Sequence, residues 1–307
     1  MRVLFFMEHL YPVVGGAERS ADALIQGLSQ IPGVEVGWVC SSNIGEQPRD
    51  LISTYDVVVT QLSWARQVID LAKVAGKPSA MFVRSFESFC NVASVSEIIS
   101  YCGQHCGHCP YRAATLVPDL MLANSLYTQN WLKLQHGISS EVLYPPIDFN
   151  AVRTTGGNRR YITMNQFALH KGADIFLEIA EAIPTREFRV AGYSCWQSKK
   201  PIPPNVTITG PLDAKEMYQD SVIFLSPSRW SEPFGRTILE ARSCGVPVIA
   251  SRRGAAELDG TVPEHLLVDD IDDINAWVQR IMHVLKNYPD EVSRASNIDL
   301  TPYAAEN

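Results

Sequence analysis

Short runs of β-branched and apolar residues alternate with helix-like stretches along this chain, and few architectures other than parallel sheets with crossover helices accept that pattern. In the first half the runs are Val3–Met7, Val34–Cys40, Tyr55–Thr60, Ser79–Val83 and Leu120–Ala123. The alternation then breaks at Val142–Asp148, which carries Pro145 and Pro146, and at Thr154–Asn158, which carries Gly156 and Gly157. Prolines and paired glycines punctuate chains in this way at linkers. After the break the pattern restarts with strands at Tyr161–Asn165, Phe188–Ala191, Val206–Ile208, Val222–Leu225 and Val246–Ala250. Helices are expected at Ala173–Ala182, after Asp213, over 236–243 and from Asp272 to about Lys286. At 307 residues the chain suits two cores. The expectation is two doubly wound, Rossmann-like α/β domains, residues 1–150 and 151–307.

A formal charge of −7 argues against a chain whose main business is gripping nucleic acid or an anionic membrane. The opening apolar run ends at Glu8 and is far shorter than the apolar region of a signal peptide, and no window reaches the length of a membrane span. The expected address is cytoplasmic, with membrane contact at most peripheral, at the inner face.

The chemistry concentrates in Ser226–Ala241, where a buried strand leads through a loop into a helix. The free amides of about Gly235 to Thr237 then point outward at the carboxyl end of a strand, which makes an anion site. Glu232 lies in the loop and Glu240 about a turn and a half into the helix. Each carboxylate can accept from two vicinal hydroxyls, which suits a sugar or a ribose. Taken alone, such a pair is more commonly a set of surface charges that offset the helix dipole.

The whole string carries more than the pair does. Glu232-x7-Glu240, set in Ser-Glu-Pro-Phe-Gly-Arg-Thr-Ile-Leu-Glu-Ala and followed by Cys244–Ser251, closely resembles the signature of glycosyltransferase family 4. The resemblance implies a retaining enzyme of the GT-B fold. Its two Rossmann-like domains would face each other across a cleft, the C-terminal one holding the nucleotide diphosphate sugar donor (UDP, GDP or ADP type) and the N-terminal one a hydroxyl acceptor. It further implies that Glu232 contacts donor sugar hydroxyls, that amides near Phe234, Gly235, Arg236 and Thr237 meet the diphosphate, and that Glu240 holds the ribose. Asn165–Gly172 resembles the family's second phosphate-binding stretch, with Lys171 as the diphosphate cation; Gln166 stands where relatives usually carry an arginine, and Arg236 is the candidate to supply the missing charge. Gly15 and Gly16 resemble the family's Gly-Gly loop facing the donor phosphate. Arg84 stands where many relatives place a histidine beside the reacting sugar. An arginine can hold a hydroxyl or phosphate, but it does not give up its proton near neutral pH.

The acidic run Asp269–Asp273 directly precedes a helix and reads as capping. No catalytic metal is expected, because Lys171, Arg236 and helix amides would neutralise the diphosphate. Cys102, Cys106 and Cys109 have close to zinc-ligand spacing, and Cys90, His105 or His108 could complete four ligands of a structural zinc; a disulfide or free thiols are the other readings. The function expected is transfer of a sugar to a hydroxyl in polysaccharide, glycolipid or small-molecule glycoside assembly. Its rivals are a catalytically silent relative that binds a nucleotide sugar or a partner enzyme, and a nucleotide-sugar epimerase of the same fold.

Overall fold

The structure is a computed structural model that describes residues 1–7, 10, 16–40, 48–61, 65–86, 89, 117–154 and 156–305. It divides into two compact units, Met1–Asp148 with Pro302–Asn307, and Phe149–Thr301.

The described elements of the first unit are β1 (Arg2–Met7), α1 (Gly16–Ser29), β2 (Glu35–Cys40), α2 (Pro48–Ser53), β3 (Val57–Thr60), α3 (Ala65–Val74), β4 (Ser79–Val83), β5 (Leu120–Ala123), α4 (Leu126–His136) and β6 (Glu141–Val142). The strands pair in parallel in the order β2-β1-β3-β4-β5-β6. Side chains alternate across a strand, so β1 serves both faces. Val3, Phe5 and Met7 pack with Ala21 and Ile25 of α1, whereas Leu4 and Phe6 pack with Ile52, Val68 and Ala72 of α2 and α3. A strand buried on both faces reads as a continuous apolar run, as β1 does.

The second unit runs α5 (Phe149–Val152), β7 (Tyr161–Phe167), a 3-10 turn (Leu169–Lys171), α6 (Ala173–Ala182), β8 (Glu187–Ser194), β9 (Val206–Gly210), α7 (Ala214–Gln219), β10 (Ser221–Ser226), α8 (Arg236–Ser243), β11 (Val248–Ser251), α9 (Ala255–Leu258), a turn (Glu264–Leu266), β12 (Leu267–Val268), α10 (Ile274–Lys286) and α11 (Tyr288–Ser296). Its parallel sheet has the order β12-β11-β10-β7-β8-β9. Ile162, Phe188 and Phe224 of the sheet meet Phe176 of α6, Ile238 of α8 and Trp277 of α10 in one core. The buried Trp277 indole donates to the Ile271 carbonyl at 3.0 Å, which satisfies its one polar atom.

Ser79–Val83, Leu120–Ala123, Ala173–Ala182 and helix 236–243 fall where the sequence puts them. Val246 does not open β11; its amide donates to the Ala241 carbonyl at 3.0 Å in the turn that ends α8, and Pro247 follows with no amide to pair. Two-residue strands β6 and β12 and helix α11 go beyond the sequence reading. The chain end also returns to the first unit, where the Ile147 amide donates to the Tyr303 carbonyl at 2.8 Å and the Tyr144 and Tyr303 rings lie 4.6 Å apart. Among the described residues, no helix is long and apolar enough to cross a membrane.

Candidate active site

Strand order decides where a site can lie. From β7 the chain winds outward through β8 and β9, then returns to place β10 on the other side of β7 and winds out again through β11 and β12. Open α/β sheets bind ligands beyond the carboxyl ends of strands at such a reversal. Here the two loops at that point are 168–172, after β7, and 227–235, after β10. They carry Lys171 and Glu232, which lie 61 positions apart in sequence.

Backbone contacts clasp the loops together. The amides of Arg229 and Trp230 donate to the His170 carbonyl at 2.9 and 3.3 Å, and the Ser228 hydroxyl reaches the same oxygen at 3.3 Å. Gly172 adopts φ +78°, and a Cβ there would lie 1.9 Å from the Pro227 carbonyl oxygen, so the approach requires glycine. Arg229 holds both oxygens of Asp174 on α6 and reaches Asp272 at 2.8 Å. From the other side, the Ala255 amide donates to the Glu232 carbonyl at 2.9 Å. A Cβ on Gly254 would meet that carbonyl oxygen at 2.2 Å.

Two ion pairs result. Lys171 Nζ lies 2.5 Å from Glu232 Oε2, both side chains being largely buried, and the Trp230 indole donates to the same oxygen at 3.3 Å. Burial, the largest single influence, raises the Glu232 carboxyl, but the Lys171 ammonium and the indole together hold the group below the usual carboxylate range. Burial and then the adjacent ammonium push His170 down to about 4, against the opposite pull of Glu232, so its imidazole is neutral at pH 7. In the second pair Arg236 Nε donates to Glu240 Oε1 at 2.7 Å. The fully buried Tyr218 hydroxyl lies 3.1 Å from Glu240 Oε2 and 3.2 Å from the Thr237 carbonyl. Burial and the Glu240 charge raise the Tyr218 phenol well above its ordinary value, so it remains a proton donor. Gly235 caps α8 in a left-handed conformation without a side-chain hydrogen bond, and Phe234 packs buried beside it.

The structure thus brings Lys171, Glu232, Phe234, Gly235, Arg236, Thr237 and Glu240 to one loop–helix junction and its partner turn. Gln166 joins them in an unusual way. It sits where the β7–β8 register shifts, with φ +69°, the only positive φ outside glycine among the described residues. Such a conformation costs an L-residue on the order of 1–3 kcal/mol and tends to persist at functional sites. Its amide reaches Cys195 Sγ at 3.7 Å, so the position where the family resemblance leads one to expect an arginine holds a neutral group. Gly16 opens α1 in the other unit. Arg84 follows β4, nearly buried, with its guanidinium 4.4 Å from the Phe82 ring centroid. Gly15, Cys90, Cys102, Cys106 and Cys109, with His105 and His108, lie outside the described residues.

In the acidic run, Asp273 accepts from the Ala276 amide and caps α10, while Asp272 pairs with Arg229 and Asp269 with Arg252. Sequence reasoning missed His170, Tyr218, Trp230 and the Asp174–Arg229–Asp272 chain. Only Gly172, directly after Lys171 in a strand-to-helix turn, left a readable signal.

Residues 159–287, which hold both ion pairs, match the family model described as Glycosyl transferases group 1. A 42.6 kDa protein in the cps region of Klebsiella pneumoniae is 29% identical over 128 residues, which is 40% of this chain and 34% of that protein. Spore coat protein SA of Bacillus subtilis is 30% identical over 78 residues, 25% of this chain and 21% of that one. The matched stretches therefore span about a third or less of the length of these curated relatives. Over whole chains, the structure of Anabaena Alr3699/HepE in complex with UDP superimposes with a TM-score of 0.75 at 16% identity, covering 100% of this chain and 96% of that one. Sucrose-phosphate synthase from Thermosynechococcus elongatus gives 0.69 at 16% identity, covering 96% and 92%. The chain has the GT-B fold, an α/β architecture of two parallel six-stranded sheets with flanking helices.

Proposed function

We propose that this chain is a retaining glycosyltransferase that moves a sugar from a nucleoside diphosphate sugar, with UDP as the favoured nucleotide, to an acceptor hydroxyl. The observation that carries the proposal is the Lys171–Glu232 pair, set at the strand-order reversal beside the amino end of α8, inside the stretch that matches the family model. The UDP and UDP-glucose complexes of HepE support the nucleotide. The cps-region relative supports polysaccharide assembly as the setting.

On this reading the diphosphate lies against the amides of Arg236 and Thr237, and Lys171 turns from Glu232 to a phosphate oxygen. Glu232 then accepts from donor sugar hydroxyls, and Glu240 from the ribose. The bond between the anomeric carbon and the β-phosphate oxygen breaks, its electron pair stays on that oxygen, and Lys171, Arg236 and the helix amides stabilise the growing charge. The acceptor hydroxyl attacks from the same face and its proton passes to the departing phosphate oxygen, so no side chain needs to act as base. Arg84 suits that scheme as a holder of hydroxyl or phosphate. These groups meet the developing charge without a catalytic metal, and the cysteine cluster is proposed as structural.

Incubation with UDP-, GDP- and ADP-sugars and a panel of acceptors, followed by NMR of the product's anomeric centre, tests the proposal. Transfer with retained configuration is expected. An inverted product, or nucleotide-sugar binding without transfer, overturns it.

A further inference from the structure

We propose that His265, His283 and Glu291 form a surface site for a zinc-type dication in the second unit, made of residues the candidate active site does not use. The three side chains come from the turn before β12, from α10 and from α11. Both imidazole Nε2 atoms converge on one carboxylate oxygen, His265 at 3.0 Å and His283 at 3.3 Å from Glu291 Oε1. Ligands about 2.0–2.1 Å from a tetrahedral ion stand about 3.3 Å apart, so two edges of a coordination shell are already close to length. The ligand atoms of all three residues lie within 4.8 Å of one another, and no other group of three His, Cys, Asp or Glu among the described residues converges in this way. Closing the remaining edge needs only a turn of imidazoles that are about half exposed.

A second observation points to an ion. The Glu291 side chain is 1% exposed, yet among the described residues its Oε2 has no hydrogen-bond partner while two imidazoles and Arg294 crowd onto Oε1. A buried carboxylate oxygen left without a partner is costly. A dication taking the carboxylate through both oxygens satisfies it. Arg294 Nη1, 2.5 Å from Oε1, is the competing charge, but its side chain is 56% exposed and can swing into water. The ion would staple α10 and α11 to the turn before β12. Through the bond from Arg242 of α8 to the Arg294 carbonyl, 2.9 Å, α11 in turn backs α8.

The test is zinc titration of the chelator-stripped full chain by calorimetry, comparing wild type with the His265→Ala/His283→Ala double variant and with Arg294→Ala. Both imidazoles are exposed enough for the double variant to fold. Wild type should take up one zinc more than the double variant, and Arg294→Ala should bind that zinc up to roughly fivefold more tightly, because a competing exposed ion pair is gone. Cobalt spectra separate this site from the cysteine cluster, since only thiolate ligands add an intense near-ultraviolet charge-transfer band. Equal zinc uptake in wild type and double variant overturns the proposal and leaves a hydrogen-bonded His–Glu cluster in its place. A thiolate band accounting for all bound metal does the same.

Discussion

Glu232→Gln separates the two roles proposed for one ion pair. The change keeps the shape of the side chain and removes its charge. Lys171 Nζ is 2.5 Å from Glu232 Oε2, with side chains 25% and 19% exposed. At that separation and an effective dielectric near 20 the gross attraction is about 7 kcal/mol, most of which desolvation offsets. A net value of about 1–2 kcal/mol lies between an exposed pair and a fully buried one. Nucleotide binding has to divert Lys171 from that carboxylate, so Glu232→Gln should tighten binding of the free diphosphate by about 5–30-fold. Transfer should fall by about 10–150-fold in kcat/KM, because a charge-assisted bond to a sugar hydroxyl contributes about 1.5–3 kcal/mol. Lys171→Ala should act in the opposite sense on the nucleotide, weakening it by about 1.5–3 kcal/mol.

The assay is calorimetry with whichever of UDP, GDP or ADP the wild type binds, alongside initial rates and urea melts that report folding separately. A salt bridge that merely braces the two loops predicts lower stability for both variants and no opposition of sign in nucleotide affinity. If Glu232→Gln binds the diphosphate no more tightly than wild type, the exchange of partners at Lys171 is wrong.

His170 titrates at about 4 in the fold and near 6.5 when unfolded, so between those values the unfolded chain binds the extra proton. Stability of the second unit should fall as pH drops from 6.5 to 4, by at most on the order of 3 kcal/mol, then stop changing on this account. Urea melts at pH 7.5 and 4.5 should show a smaller difference in His170→Asn; an equal one rejects the assignment. Gly254→Ala places a methyl 2.2 Å from the Glu232 carbonyl oxygen at a residue with φ +70°. It should cost about 2–4 kcal/mol and depress transfer at temperatures where the chain stays folded; wild-type melting and rates would show that the Glu232 loop is not backed there.

The parts of the fold legible in sequence were those with strong periodicity. β4, β5 and α6 bury mainly apolar side chains, and in α8 Ile238, Leu239 and Ala241 carry the same signal beside the buried Glu240 and Arg242; the neighbours of these elements are glycine, proline or capping residues, so pattern and packing largely agree. Strands β6 and β12 are two residues long and carry no period to read. A single residue, Asn287, separates α11 from α10, with Pro289 in the first turn of α11; that proline was a readable start signal, but few apolar positions follow it. Within the candidate site, Glu232 and Glu240 were singled out through a signature string and Lys171 through a second stretch resembling the same family, whereas their partners were not. Tyr218 reaches Glu240 from α7 and Arg229 reaches Asp174 from another loop, and no local pattern encodes such meetings. The His265–His283–Glu291 cluster stayed hidden for the same reason, since its members span 26 positions on three elements.

Why the site should be built as two closed ion pairs follows from what the proposed donor brings. A nucleotide sugar delivers an anion and a set of hydroxyls in one molecule. Lys171 and Arg236 can pass to the anion while Glu232 and Glu240 pass to the hydroxyls, so each charged group trades one partner for another and none is left bare in a poorly hydrated junction. The loops already fix where those groups sit, which keeps reorganisation small when charge develops on the departing phosphate. The free diphosphate product completes only half of the exchange. It takes the cations and supplies ribose hydroxyls to Glu240, but nothing to Glu232, whose carboxylate is then largely buried with the Trp230 indole as its one remaining hydrogen-bond donor among the described residues. That imbalance weakens product relative to donor and favours release after transfer. Glu232→Gln removes the imbalance along with the charge, so the tighter nucleotide binding expected of the variant and its slower turnover have one physical origin.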